Sequence, residues 1–434
     1  MTEDNMARAL PSRFVLAVTV GGVIGLGILR GPGEIAEVVP DSALYLGLWL
    51  FGGLFVLLST AVTAELLGMT PRSGGTYALI RRAYGPYAGF VIGWVDWLSF
   101  AADLALKAVV ILEFVAILVP EAANWRTPLA ILLTSVFAVI QLRGIGLGAL
   151  IQELATSLIG LVILGLALLL IFMGAADVGA ASSIPANNSL SDWSLLIATI
   201  IFTYDGWLYA SYFSGEIRGG AGAVARSCIK GMTVVIVLYM LLNIALVKSV
   251  GLTALAGSEL ALARALELAI HPAAGSIVVV AAIMILLSHQ NLEYMGGPRI
   301  LQALAVDGFA SSRAQKVGKG GNPVFAIVIT WLVAIGLILI GGFEFLLTLA
   351  VFFYVPLYLA MIVGILVLRK REPDTERPYR AWGHPYSTIL CLIAWTIVTF
   401  FQAYVERETA VYAVVLAAAS WPVFRYLSRP GERH

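Results

Sequence analysis

The chain has 434 residues and a net charge of +1, with 60% hydrophobic and only 12% charged residues, where a soluble globule carries about 45–50% and about 25%. A mean hydropathy of +0.92 asks for hydrocarbon rather than water around its apolar surface, and the near-neutral charge excludes a nucleic-acid footprint. Two cysteines, Cys228 and Cys391, and four histidines exclude a disulfide framework and leave no ligand cluster spaced for a structural metal.

The opening MTEDNMARAL carries acids and no apolar core. It is a poor cleaved signal peptide, so insertion is expected to rely on the first internal span. From there, apolar runs of about 17 to 25 residues recur, each long enough to cross hydrocarbon as a helix. Twelve are expected, centred near Val23, Phe55, Leu104, Ser135, Leu161, Phe202, Val237, Leu287, Val333, Tyr354, Ala394 and Leu416. Turn-rich or charged stretches separate them as loops, among them TPRSGGTY, RGGAGAVARS, GKGGNP and RKREPDTERPYR. Basic residues accumulate in short cytoplasmic loops. With the N-terminus inside, the outer segments hold only Arg126, Lys248, Arg264 and Arg407, and Arg30, Lys107 and Arg299 fall at membrane depth. An even number of spans with both termini cytoplasmic follows, with no separate soluble domain.

The first span, VGGVIGLGILRGPGEIAEVVP, packs Gly21, Gly22, Gly25, Gly27, Gly31, Pro32 and Gly33 into what should be continuous helix. Each interior glycine costs about 1 kcal/mol relative to alanine and leaves the backbone uncovered. Exposed amides at the positive end of the following half-helix suit a carboxylate. Beyond the break, Arg30 and Glu34 stand at the i, i+4 spacing of an ion pair. The third span, GWVDWLSFAADLALKAVVILEF, holds Asp96, Asp103, Lys107 and Glu113, and ionisable groups at that depth cost about 2.5–3.5 kcal/mol each. Asp103 and Lys107 are four apart on one face, either a self-neutralised structural pair or a proton-coupling pair.

In the sixth span, IFTYDGWLYASYFSGEIR, Asp205-Gly206 marks a second break at matching depth, where unwound carbonyls suit an ammonium group. Two interruptions in corresponding places are the mark of a transporter site between structural repeats; close helix packing is the plainer use of glycine in membranes. The eighth span places His289 and Glu293 four apart, as a proton relay, an ionic contact to substrate, or a lock between spans. Trp49, Trp94, Trp97, Trp193, Trp331, Trp382 and Trp421 are expected mostly in an interfacial belt.

Several segments resemble the amino acid-polyamine-organocation permeases, and among them the L-type amino acid transporter-like branch. IGLGI looks like the family's first-span glycine signature, and AELLGMTPRSGGTYALIRRAYGP its second-span exit. QLRGIGLGALIQ, FTYDGWLYASYFSGEIR, RILQALAVDG and LRKREPDTERPYR are similar to later family segments in the same order.

The resemblance implies an all-α polytopic membrane protein of the leucine-transporter-type fold. It has twelve helices, broken helices 1 and 6, and alternating access. One permease domain would fill residues 1–434, as a first repeat over 13–175, an inverted second repeat over 192–369 and two additional helices over 384–427. Carried over, the substrate carboxylate meets amides of Gly25, Leu26 and Gly27. The amino group meets carbonyls of Val23, Phe202, Thr203 and Asp205, and Phe202 is the outer gate. Gly27 is then where a side chain would fill the carboxylate's space.

The sequence departs from the family pattern at two places. Leu26 replaces the serine between the signature glycines, and Ile159 stands where many relatives carry a fifth-span lysine. Cys228 and Cys391 lie toward the cytoplasmic side, so no disulfide-linked partner subunit is expected. The expected function is plasma-membrane transport of neutral L-amino acids by exchange or proton symport. The alternative is a polyamine or organic-cation permease using Asp103, Glu293 or Asp205 as counter-charges. An intramembrane enzyme would need a nucleophile and base or metal ligands at depth. Only His289 and Glu293 approach that, so neither enzyme activity nor a cofactor is expected.

Overall fold

The computed structural model describes residues 10–70, 72–173, 190–341, 343–405 and 407–427. A backbone in hydrocarbon satisfies itself most simply as helix, and the described residues contain no strand, only an isolated bridge between Leu10 and Ile217. The first apolar stretch is two helices, α1 (Ser12–Val23) and α2 (Gly27–Val38). After α3 (Ser42–Met69), a short connecting helix α4 (Gly75–Tyr84) leads to α5 (Pro86–Leu118). Next come α6 (Arg126–Arg143), α7 (Ile145–Met173) and α8 (Leu190–Thr203), and α8 gives way to a 3-10 helix over Trp207–Glu216. Then follow α9 (Gly220–Val250), the short α10 (Leu252–Leu255) and α11 (Ala261–Ala269), and the long α12 (Gly275–Val306). The chain continues with α13 (Val324–Ile340), α14 (Phe343–Arg371), α15 (Tyr386–Val405) and α16 (Arg407–Leu427).

Among the described residues, 7 helical stretches are long and apolar enough to cross a membrane, so the chain is an all-helical, multi-pass membrane protein. All the expected span centres fall inside helices. Three expected loops are partly helical: TPRSGGTY contains the start of α4, RGGAGAVARS is helix from Gly220 onward, and RKREPDTERPYR opens with the last turn of α14. Gly74, Gly75 and Gly219 take positive φ at these starts, so glycine here opens a helix as well as a turn. Arg8, Arg429 and Arg433 lie outside the described residues.

Side chains that face hydrocarbon need no burial, and Phe51, Leu161 and Phe172 stand exposed on α3 and α7. The centre is the reverse: α12 is buried on every side from Ser288 to Ala305, packed along α5. Trp49 and Trp97, expected in an interfacial belt, are also buried. Trp49 packs edge-on against Tyr204 and Tyr239, and Trp97 donates to Thr330 Oγ1 at 3.0 Å. Trp382 and Trp421 are exposed, as the belt requires. Cys228 and Cys391 are free and buried.

The two interruptions lie against each other. Ile24 is extended after α1, and Gly206 takes a φ of 113° after α8. A side chain at Gly206 would be strained and would also collide with the Gly22 carbonyl. The packing of the breaks therefore depends on glycine at both positions.

Beyond the second break, the 3-10 helix is anchored at its far end. Glu216 is buried and accepts from Arg299 Nε at 2.6 Å and Nη2 at 3.0 Å. Arg299 also donates to Asn322 Oδ1 at 3.0 Å and lies 5.1 Å from the centre of the Phe213 ring. The chain's start ties in as well: Leu10 N–H donates to Glu216 O at 3.0 Å, and Arg218 N–H to Leu10 O at 2.8 Å. Nearby, Asp307 takes Arg72 at 3.0 Å and Arg81 at 3.4 Å. Arg299, a charge at membrane depth without a partner in the sequence reading, thus belongs to a buried pair that closes this end. Removing one partner of a buried pair costs about 3–5 kcal/mol because the other charge is left uncompensated. Arg299→Met is expected to lower the thermal unfolding temperature sharply, and Arg299→Met/Glu216→Leu to recover most of the loss.

Candidate functional site

Where the breaks meet, the structure encloses a cavity of about 290 Å³. The first break supplies Gly22, Val23, Gly25, Leu26 and Gly27, and the second supplies Phe202, Asp205, Gly206 and Tyr209. Asp103, Leu106, Lys107 and Val110 come from α5, and Ile285, Leu286 and His289 from α12. Two residues expected at the site stand back from it. Thr203 is buried against Gly27, and Glu293 lies behind Lys107.

Helix geometry leaves the first amides of α2 without intrahelical acceptors. Among the described residues, the N–H groups of Leu26 and Gly27 have no backbone acceptor, that of Gly25 lies toward the Tyr239 hydroxyl, and all three residues line the cavity. The carbonyls are different. Tyr239, from α9, points its hydroxyl at Val23 O (3.0 Å) and Thr203 O (3.3 Å), joining the two breaks. Phe202 O accepts from Asp205 N–H at 3.2 Å. Ile24 O lies 3.2 Å from His289 Nε2. The Asp205 carboxylate accepts from the Gly206 N–H at 2.7 Å and from the Tyr358 hydroxyl, so its side chain caps the unwound turn.

Gly27 and Gly25 have different surroundings. A Cβ at Gly27 would come within 2.9 Å of Thr203 Oγ1 and 3.0 Å of Thr203 Cα. A larger residue there parts α2 from α8 before it meets any ligand. At Gly25 the nearest atoms would be His289 Cε1 at 3.8 Å and Val23 O at 3.9 Å, so a side chain enters the cavity freely.

The two charge pairs expected on separate helices form one cluster. Lys107 Nζ lies 2.5 Å from Asp103 Oδ2, 3.0 Å from Glu293 Oε1 and 3.0 Å from His289 Nδ1. An ammonium only donates, so His289 accepts at Nδ1 and donates from Nε2 to Ile24 O. His289 and Glu293 are thus linked through Lys107. Tyr209 OH completes the cluster, donating to Glu293 Oε1 at 2.5 Å. The Asp103 side chain is 24% exposed and that of Glu293 1%, so Asp103 is the carboxylate the cavity reaches.

Access is one-sided. Phe202 lines the cavity and is 40% exposed, and Leu106 and Val110 are partly exposed. On the other side Phe100, Tyr212 and Asp96 are buried. Asp96 there accepts from Tyr212 at 3.0 Å, Tyr354 at 2.9 Å and Thr76, hydroxyl donors alone. Further out on the open side, Arg30 and Glu34 stand 3.9 Å apart in the expected pair. Ile159 is buried away from the cavity lining.

Tyr209 and Tyr239 were not singled out from the sequence. Tyr209 follows Gly206 closely enough to have been considered with the break. Tyr239 had a fainter signal, a hydroxyl in the middle of the apolar run VIVLYMLLN with Asn243 one turn later. Its removal tests the bridge between the breaks. Tyr239→Phe keeps the ring packing but leaves the Val23 and Thr203 carbonyls short of a donor, which costs about 1–3 kcal/mol. A lowered unfolding temperature in detergent is expected; an unchanged one would show that the bridge contributes nothing.

The amino acid permease family model matches residues 14–420. Among curated proteins, the chain is similar to the serine/threonine exchanger SteT of Bacillus subtilis, 24% identical over 98% of each chain. It is similar to the gamma-aminobutyric acid permease of the same organism, 23% identical over 93% of this chain and 90% of the relative. The b(0,+)-type amino acid transporter 1 of Rattus norvegicus is 24% identical over 84% of this chain and 77% of its own. A family match spanning nearly the whole chain bears out the resemblance read from the motifs: the chain belongs to the amino acid permease family, as a membrane transporter of amino acids rather than an enzyme.

Proposed function

We propose that the protein carries neutral L-amino acids across the plasma membrane by alternating access, as an exchanger or proton symporter. The observation that carries this reading is the run Gly25, Leu26 and Gly27, which lines the cavity at the head of α2 with the Leu26 and Gly27 amides taken by no backbone acceptor among the described residues. Such a set matches a carboxylate. The Asp205 carbonyl, also without a donor among the described residues, is the acceptor available to the substrate's ammonium. Phe202, between the cavity and its open side, is the gate.

A neutral substrate is favoured over an organic cation by the state of the acids. Asp205 is held by Tyr358 and the Gly206 amide, and Glu293 by Lys107 and Tyr209. Asp103 already faces Lys107. Each is already engaged by donors of the protein itself. A cavity of about 290 Å³ shared with that cluster suits a small side chain. Two carboxylates around one ammonium carry one formal negative charge, so a single proton neutralises the cluster. This is the basis of the coupling role given to Asp103, Lys107, His289 and Glu293.

The wider arrangement in this reading is twelve spans, with α1/α2 and α8/3-10 as broken spans one and six. It comprises inverted repeats over residues 13–175 and 192–369, two further helices over 384–427, and both termini in the cytoplasm. Support comes from the matched interruptions and from the basic loops gathered on one side of the expected spans.

Gly25→Ala tests the carboxylate site, because its methyl meets open space in the protein. Uptake of labelled amino acids into proteoliposomes is expected to fall at least about tenfold, equivalent to about 1.4 kcal/mol, with folding retained. Normal uptake would remove the first break from the site. Glu293→Gln keeps an acceptor for Tyr209 but removes the titrating carboxyl. If the cluster carries the coupled proton, wild-type uptake rises as outside pH falls and the variant's profile is flat; a profile equal to wild type returns the cluster to a structural role.

A further inference from the structure

A second pocket, of about 410 Å³, lies where the loop after α12 turns into α13. Arg313 and Lys316 form one side, and Val317, Val324, Phe325 and Val328 the apolar remainder. No carboxylate lines it, and neither cation has an ion-pair partner among the described residues. Asp307, the nearest acid in the sequence, is taken by Tyr77, Arg72 and Arg81.

The apolar side continues out of the pocket. Val324, Val328 and Leu332 follow one another at four-residue spacing on α13, and so share a helix face. Val324 is 42% exposed and Leu332 50%. On a helix of this hydropathy the exposed stripe faces acyl chains, while the cations sit at the end where the helix leaves the hydrocarbon. A water-soluble anion would use the cations and ignore the stripe. An uncharged lipid would use the stripe and leave the cations unanswered. We infer that this pocket binds an anionic phospholipid, its phosphate between Arg313 and Lys316 and one acyl chain along Val324, Val328 and Leu332. Basic pockets beside spanning helices recognise lipid headgroups by this combination of charge and apolar contact.

The pocket wall is connected to the closed end of the bundle. In the segment 316–323, Gly320 O accepts from Ile145 N–H at 2.9 Å. Asn322 donates to Gln141 O at 2.6 Å and accepts from Arg299 at 3.0 Å. A lipid bridging Arg313, Lys316 and α13 braces this segment against the Arg299–Glu216 pair. Binding therefore stabilises the folded state and is readable as a thermal shift.

The test uses the purified full chain in detergent, with equal mole fractions of dioleoylphosphatidylglycerol or dioleoylphosphatidylcholine, or with glycerol phosphate alone. Phosphatidylglycerol is expected to raise the unfolding temperature by at least about 2 °C over phosphatidylcholine. Arg313→Ala/Lys316→Ala should lose most of that rise, and Lys370→Ala, in the basic last turn of α14, should keep it. Val328→Trp retains both cations but fills the apolar floor, and should lose the rise too; it decides the matter if the double variant folds poorly. Four results would overturn the inference: an equal shift with phosphatidylcholine, a full shift with glycerol phosphate alone, a full shift in the double variant, or an equal loss in Lys370→Ala. None of these outcomes depends on what occupies the central cavity.

Discussion

A backbone carbonyl released from a helix inside hydrocarbon has no water to turn to, and the centre of this protein answers that constraint with side chains from outside the broken helices. Tyr239 reaches from α9 to Val23 and Thr203, and His289 reaches from α12 to Ile24. Gly206 lets the second break come up against Gly22 with no side chain between them. The carbonyls are largely answered from within, whereas the amides of Leu26 and Gly27, on the cavity wall, have no backbone acceptor among the described residues. That asymmetry gives the site its polarity. A cavity lined by unsatisfied donors favours an acceptor, and in an amino acid permease the acceptor common to its substrates is the carboxylate. The replacement of the signature serine by Leu26 fits the same scheme, since the backbone supplies the donors.

Charge inside the bundle is handled in graded fashion from the cavity to the closed end. At cavity depth, Asp103 and Glu293 share the Lys107 ammonium, with Tyr209 as an additional donor. One level further in, Asp96 is held by the hydroxyls of Tyr212, Tyr354 and Thr76, with no cation in contact. At the closed end, Glu216 is matched by a doubly bonded guanidinium. Hydroxyl donors stabilise a carboxylate without fixing its charge state as firmly as a guanidinium does. The carboxylates nearest the cavity thus share one ammonium, the next is held by hydroxyls, and the guanidinium pair lies farthest from the cavity.

The sequence disclosed features that depend on neighbours along one helix, and concealed those that depend on neighbours across the bundle. Glycine enrichment marked the first break and Asp205-Gly206 the second, and i, i+4 spacing revealed Asp103 with Lys107 and Arg30 with Glu34. Helical spacing could not show that Lys107 faces His289 and Glu293, because those residues lie 182 and 186 positions away on another helix. A separation of 83 positions likewise hid the Glu216 partner of Arg299. Trp49 misled for a related reason: an indole near the start of a span suits an interface, but here the concave surface formed by Tyr204 and Tyr239 buries it. The amphipathic α4 was concealed by its glycines, which read as turn while serving to start a helix. Tyr239 was the hardest to foresee, since its hydroxyl acquires meaning only once two chain breaks are placed on either side of it.

The broken helices lean on α12 at three successive levels: Ile24 on His289, Tyr209 on Glu293, and Glu216 on Arg299. In the proposed alternation these helices move relative to α12, so all three contacts must be remade. Glu216 and Arg299 are also bonded to Asn322 and, through the Glu216 backbone, to Leu10, so the lowest contact ties the broken helices to the segment before α13 and to the start of α1 as well. The Lys107 ammonium touches His289 and Glu293 together, the two residues on which the upper contacts rest. In that proposal a proton or substrate at the level of Lys107 acts on both upper contacts at once, which is why the cluster rather than the lowest pair is given the coupling role.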